Sequence, residues 1–173
     1  MNCKKGENPV NNTPVETERK YLIRYPDTEA LAHMDGAQIW HIVQTYLRTE
    51  GARVRRIEED GAVRFIRTEK KRLSALSSFE DEWEITEAEY RRMLADADPE
   101  RHPVEKTRYR IPWEGYLCEI DVYSFWNDRA TLEIELPAED IRPPMPPFVT
   151  LIREVSGDKR YTNRAMAKEI PVE

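Results

Sequence analysis

The acidic and basic residues of this chain are sorted by sign into short runs in which every second residue is charged. Glu16, Glu18 and Lys20 alternate in one run, Arg53 and Arg55 in another, and Glu80, Glu82 and Glu84 in a third. Lys106, Arg108 and Arg110 follow, then Glu119 and Asp121, then Glu133 and Glu135. Val54, Trp83, Tyr109, Ile120 and Ile134 stand between them. Successive side chains of a strand point to opposite faces, so each run reads as a strand with one ionic and one largely apolar face. For a single strand the simpler account is a sheet with its charges in water. Charged residues make up 35% of the chain, so a charged pair two apart arises by chance at about one position in eight. Sign sorting is harder to dismiss: three runs are wholly acidic on that face and two wholly basic. A sheet closed into a barrel would turn those faces inward.

The rest of the chain supports such a sheet. Eight strands are expected, over Val15–Tyr25, Ile42–Thr49, Ala52–Glu59, Ala62–Lys71, Phe79–Ile85, Val104–Pro112, Tyr116–Phe125 and Thr131–Pro137. Asp60-Gly61 is a hairpin signal, and Trp113-Glu114-Gly115 and Trp126-Asn127-Asp128 read as turns. Helices are expected over Asp27–Met34, over Thr86–Asp98, which opens on a capping box and stops at Pro99, and in the later part of Ser156–Ile170. In the last of these Leu151, Ile152 and Val155 would supply an apolar face. Arg142–Pro147 is a stiff connector. Residues 1–14 read as a disordered tail and 15–173 as one domain, with neither repeat nor second domain. The fold class is antiparallel α+β.

Composition removes several functions. A net charge of −6 lacks the basic footprint of a nucleic-acid binder. No apolar run reaches the ~18 residues of a membrane span, and the start MNCKKGENPVNNTP has no apolar signal core. Cys3 and Cys118 sit in unlike contexts, which argues against a disulfide and for a cytoplasmic location. The six glycines are too scattered for a phosphate-cradling loop, and His33, His41 and His102 form no metal-binding spacing. Phosphate or metal would have to be held by Glu, Asp, Lys and Arg.

If the ionic faces line a barrel, eight carboxylates (16, 18, 82, 84, 119, 121, 133, 135) face seven bases (20, 53, 55, 70, 106, 108, 110). Hard cations would suit the carboxylates. Two divalent ions would leave the interior at about +3, a match for a guest of roughly −4 to −5 such as a triphosphate. Arg then grips phosphoryl oxygens as a fork and Lys as a point charge.

Glu16-Thr17-Glu18-Arg19-Lys20, Arg53-Val54-Arg55, Glu82-Trp83-Glu84-Ile85, Lys106-Thr107-Arg108-Tyr109, Glu119-Ile120-Asp121-Val122, Glu133-Ile134-Glu135 and the late Gly157–Asn163 segment occur in that order. This set resembles the CYTH superfamily, the triphosphate tunnel metalloenzymes, over nearly the whole chain from about Val15 to Pro171. The resemblance implies an eight-stranded antiparallel β-barrel, a tunnel with helices packed outside and a C-terminal closing helix. Its members bind a linear triphosphate with Mg²⁺ or Mn²⁺ and hydrolyse tripolyphosphate, thiamine triphosphate or nucleoside triphosphates; a few cyclise ATP. Carried over, Glu16, Glu18, Glu82, Glu84, Asp121, Glu133 and Glu135 are the metal-side carboxylates. Arg53, Arg55 and Arg108 hold phosphates, as does Lys70, with Lys71 and Arg67 as alternatives to it. Lys159 and Arg160 lie near the substrate. Lys20 and Lys106 also grip phosphate and are the lysines taken as catalytic, without a choice of which handles protons. One departure concerns the arginine usual just ahead of the fifth strand's Glu-x-Glu, where this chain has Ser78 and Glu80. The partner is a small anionic triphosphate rather than nucleic acid or membrane, and a homodimer is the implied assembly. Inorganic tripolyphosphate is the first-choice substrate. The alternatives are a nucleotide cyclase, a thiamine triphosphatase using Trp40, Tyr46 or Trp113 as platform, and a non-catalytic polyphosphate-binding module.

Overall fold

The structure, a computed structural model, describes residues 15–172. Cys3 and the expected tail at 1–14 therefore lie outside the described residues. The described residues form nine strands: β1 (Val15–Arg24), β2 (Gln38–Tyr46), β3 (Ala52–Glu59), β4 (Ala62–Arg72), β5 (Ser77–Ile85), β6 (Val104–Trp113), β7 (Tyr116–Tyr123), β8 (Arg129–Glu135) and β9 (Leu151–Glu154). Helices α1 (Thr28–Ala32), α2 (Glu87–Leu94) and α3 (Asn163–Met166) are short, and a 3₁₀ turn covers Lys159–Tyr161.

All the strand pairings are antiparallel, in the order β5-β4-β3-β2-β6-β7-β8-β1. The first residues of β1 then pair with β5, Val15 with Phe79 and Thr17 with Ser77, which closes eight strands into a barrel. Beyond Thr17, β1 and β5 part, and β9 takes that edge of β1 at Tyr21–Ile23. The closure is therefore a wedge. The chain after β9 fills it, with Val155 N donating to Lys20 O at 2.8 Å and Lys20 N to Ser156 Oγ at 2.9 Å.

The usual arrangement of a small barrel is inverted. Its largest apolar cluster lies on the outer face, where Tyr21, Ile23, Ile111, Ile120, Leu132 and Ile134 pack under Leu31 of α1 and the 141–149 connector. A second cluster (Leu22, Tyr46, Val104, Tyr123, Tyr161, Met166) plugs one end of the interior. Outer burial supplies the hydrophobic stabilisation and leaves the inner face available for charge.

Local chemistry accounts for the boundaries. Asp60-Gly61 and Glu114-Gly115 both adopt left-handed φ (49° and 80°; 46° and 81°), the two-residue turn that matches strand twist. Thr86 caps α2 through Glu89 N at 3.2 Å, and Glu89 reaches back to Thr86 N at 2.7 Å. α2 stops at Leu94 rather than at Asp98. Asp96 and Asp98 are instead drawn into backbone bonds with Arg48 and Tyr46, and the same pairing ends β2 before Thr49.

The segment expected as one helix over Ser156–Ile170 is broken. Thr162 is extended (φ −71°, ψ 142°), and its hydroxyl accepts from Ala165 N to start α3 afresh. Leu151 and Ile152 belong to the edge strand β9 and are exposed, so they do not form a helical face.

Candidate active site

The inward faces of β1 to β8 enclose a cavity of about 360 Å³. Three clusters of charge line it, each made by strand register.

The first lies on β3, β4 and β5. Glu80 of β5 faces Lys70 of β4, and Glu82 faces Thr68. Arg53 Nη2 donates to Glu80 Oε1 at 2.5 Å, and Lys70 Nζ is 2.7 Å from Glu80 Oε2. Arg55 is ion-paired with Glu82, which also accepts from Thr68 Oγ1 at 2.8 Å. Burial and the neighbouring Arg53 charge lower the Arg55 guanidinium to about 10. Arg53 Nε and Arg55 Nε are buried and meet no acceptor among the described residues, as is Arg164 Nη1 of α3, another cavity residue. Buried donors without acceptors are rare, and they fit a site that takes an anion.

The second cluster, on β6, β7 and β8, is centred on Arg108. It holds Asp121 at 2.6 and 2.8 Å and Glu133 at 2.9 Å, and pairs with Glu119. Lys106 Nζ donates to the same Asp121 at 2.5 Å. One carboxylate thus serves two cations. Burial and the Arg108 charge push Lys106 down to about 8, against the pull of Asp121. Lys20 differs: burial opposes its charge, but Glu133 at 2.9 Å outweighs that and raises it above its ordinary value.

The third cluster is acidic. Register sets Glu18 directly opposite Glu135 and Glu119 opposite Glu133, like charges whose side chains stand about 5 Å apart at Cβ. Glu18 and Glu135 have no ion pair among the described residues, and Glu16 has only Lys70 at 3.9 Å. Burial and then the Glu133 charge push Glu18 up to about 7. Burial and then Glu80 push Glu16 to about 8, and burial and Glu119 raise Glu135. Among the described residues, no three acidic, His or Cys side chains converge on one point as they stand. The donor set nonetheless fits a hard divalent cation, because Glu18 and Glu135 offer adjacent oxygen ligands without an ion pair among the described residues.

Of the residues expected from sequence, Glu16, Glu18, Lys20, Arg53, Arg55, Lys70, Glu82, Lys106, Arg108, Glu133 and Glu135 are brought together in this cavity. Lys70 is the fourth-strand lysine inside, whereas Lys71 is exposed and Arg67 lies outside against Met93. Four are not on the lining. Asp121 is fully buried behind Lys106 and Arg108 and braces them. Glu84 is exposed further along β5, opposite Ile66. Lys159 is exposed, and Arg160 turns outward to Asp158 at 2.8 Å. The break at Thr162 explains the last two: the 3₁₀ turn aims Tyr161 inward, and α3 presents Asn163 and Arg164 instead. Sequence reasoning gives Arg164 no role, and it leaves Glu80 out of the inward carboxylates although it alternates with Glu82 in the same run.

The mouth carries Trp40, with Arg64 at 4.4 Å and Arg110 at 4.2 Å from its ring centre. Trp113 packs edge-on against Phe148 in the outer cluster, and Tyr46 is buried with its hydroxyl held by Gln44 at 2.6 Å.

No family model matches the chain. It is 32% identical over 161 residues to an inorganic triphosphatase of Nitrosomonas europaea, across 90% of this chain and 99% of that one. An inorganic triphosphatase of Acetivibrio thermocellus is 32% identical over 154 residues, 88% of this chain and 93% of that one. Among solved structures, an inorganic triphosphatase matches with a TM-score of 0.54 and 27% identity, over 91% of this chain and 97% of that one. A Pyrococcus horikoshii protein shares the fold at a TM-score of 0.51 and 19% identity, over 72% and 79%.

Proposed function

This chain belongs to the inorganic triphosphatase family of triphosphate tunnel proteins, and on that premise we propose that it hydrolyses inorganic tripolyphosphate inside its barrel with Mg²⁺ or Mn²⁺. The observation that carries the reading is the sorting of charge across the cavity. Arg53, Arg55 and Lys70 project from β3 and β4, while the uncompensated Glu18 and Glu135 project from β1 and β8, with β3 half way round the barrel from β8. A linear polyanion bridges such a pair of walls when a cation joins it to the acidic one.

Glu16, Glu18, Glu133 and Glu135 are the residues that would hold the metal. When bound, it would supply Lewis-acid polarisation of phosphoryl oxygens and a water of lowered pKa. The protein's own groups do the rest. Arg53 and Arg55 grip phosphoryl oxygens as forks, which fixes the chain for in-line displacement. Water oxygen forms the new bond to phosphorus as the anhydride P–O bond breaks, giving pyrophosphate and phosphate. Lys20 stays protonated and offers a fixed charge to the phosphates. Lys106 Nζ lies closest to neutrality and is the group that can give or take a proton at a phosphoryl oxygen.

The mouth supports phosphate specificity over nucleoside or thiamine recognition. The Trp40 ring already has two guanidinium groups against it, and neither Trp113 nor Tyr46 offers a free platform. The test is phosphate release from tripolyphosphate by the purified protein. Release with Mg²⁺ or Mn²⁺, its loss in excess EDTA, and a fall of at least a hundredfold in Glu133→Gln are expected. Undiminished release in EDTA would overturn the metal assignment. Binding of tripolyphosphate without any release would leave a polyphosphate-binding module.

A further inference from the structure

Asp121 braces the bases of its cluster from behind, fully buried and off the cavity surface. Glu119 and Glu133 line the cavity and hold two bases each, on β6 and on β1 and β6. Glu80 does the same on the opposite wall. It is 4% exposed, yet it lines the cavity, and it spends both oxygens on the bases of the phosphate-gripping wall. Oε1 lies 2.5 Å from Arg53 and Oε2 2.7 Å from Lys70. The register sets Glu80 opposite Lys70 on neighbouring strands.

A carboxylate with two oxygens bridging a guanidinium and an ammonium makes the contacts that a phosphoryl group would make. Substrate and Glu80 therefore compete for the same donors. We propose that Glu80 is an internal counter-anion, displaced from Arg53 and Lys70 by a phosphate chain long enough to outcompete it, and that it thereby sets the shortest phosphate the tunnel retains. The inference rests on the tripolyphosphatase reading above.

The energetics favour this role. Two charge-assisted contacts must be exchanged before Arg53 Nη2 and Lys70 Nζ can give a ligand the donors they now give Glu80, and the displaced negative charge stays close by and repels it. A tripolyphosphate has charge and length enough to engage the other bases of the wall at the same time. Pyrophosphate and orthophosphate do not, so Glu80 takes its donors back and the products leave. Glu80 is thus a specificity-determining residue that acts by occupying the bases.

The test compares wild type with Glu80→Gln, which keeps the shape and removes the charge. Inhibition of tripolyphosphate turnover by pyrophosphate should tighten at least tenfold in Ki. KM for tripolyphosphate should fall by a smaller factor, so the ratio of Ki to KM narrows. Titration of pyrophosphate into both proteins in EDTA reads the same effect without turnover, with at least tenfold tighter Kd in Glu80→Gln. An equal or weaker Kd, or no binding to either protein, overturns the proposal. Absence of turnover in wild type would instead overturn the function reading and leave the titration to judge Glu80. Should Glu80→Gln fail to fold by circular dichroism, Glu80→Asp takes its place. Its carboxylate is one methylene short of both bases, and a Kd severalfold tighter than wild type is expected; no change counts against the proposal.

Discussion

Replacing Glu18 by Gln should stabilise the metal-free protein, and the gain should grow with pH. Glu18 stands opposite Glu135 and has no ion pair among the described residues. Burial, then the charge of Glu133, raise it from 4.5 to about 7. The fold therefore favours the protonated acid. Below about pH 4.5 the group is neutral in both folded and unfolded chains and costs nothing. As pH rises towards 7 the unfolded chain loses its proton while the folded one keeps it, and folding stability is lost across that window. A gap of about 2.5 pH corresponds to about 3 kcal/mol, complete above pH 7 and only about 1 kcal/mol at pH 5. Glutamine is neutral throughout and escapes this cost. For a chain of this size about 1 kcal/mol moves Tm by roughly 2–4 °C, so Glu18→Gln should melt roughly 6–12 °C above wild type at pH 8 in EDTA. Thermal melts at pH 5 and pH 8, with EDTA and with Mg²⁺, provide the assay. Mg²⁺ should raise wild type more than the variant. A variant that melts at or below wild type at pH 8 in EDTA, or a difference equal at both pH values, would refute the reasoning.

Two further outcomes follow from the geometry. Lys106, pushed down to about 8, should lose its proton as pH rises, so kcat/KM should fall above about pH 8. Lys106→Arg keeps the charge and should carry that limb to higher pH, whereas an unmoved limb would remove Lys106 from the proton account. Gly51 has φ +76°, and a Cβ there would lie 2.4 Å from the backbone oxygen of Lys70, whose N–H donates to Gly51 O at 3.0 Å. Gly51→Ala should cost about 3 kcal/mol and raise KM by shifting Lys70, while Gly61→Ala, with φ +80° but open space around it, should cost about 1 kcal/mol. Denaturant melts of the two variants measure this, and equal costs would mean that the Lys70 contact does not matter.

The parity of a strand is legible in its residues, and so the inner faces of β1, β3, β6 and β8 could be read directly. Thr86 with Glu89, and Asp60 with Gly61, announced their helix start and turn because capping and left-handed φ are local requirements. Depth along the barrel is not local. Glu119 and Asp121 share parity, yet one lines the cavity and the other is sealed behind Arg108, because the stagger between strands decides which rung meets the cavity. The pairing of Glu80 with Lys70 depends on β4–β5 register in the same way. β9 is not legible, because four residues with two exposed apolar side chains show no period. The resemblance of Gly157–Asn163 carries Lys159 and Arg160 into the site, and it holds no sign of the interruption at Thr162, which is a matter of one residue's backbone angles.

The central claim is that recognition lies in the phosphate chain along the ionic walls, and the ratio of kcat/KM for tripolyphosphate to that for ATP, measured with Mg²⁺, tests it most directly. The cavity offers charge along its length, and the Trp40 ring at its mouth already has Arg64 and Arg110 against it, so the ratio should exceed one by at least tenfold, about 1.4 kcal/mol of transition-state preference. A ratio inverted by the same factor in favour of ATP would contradict the account and require nucleoside contacts at the mouth.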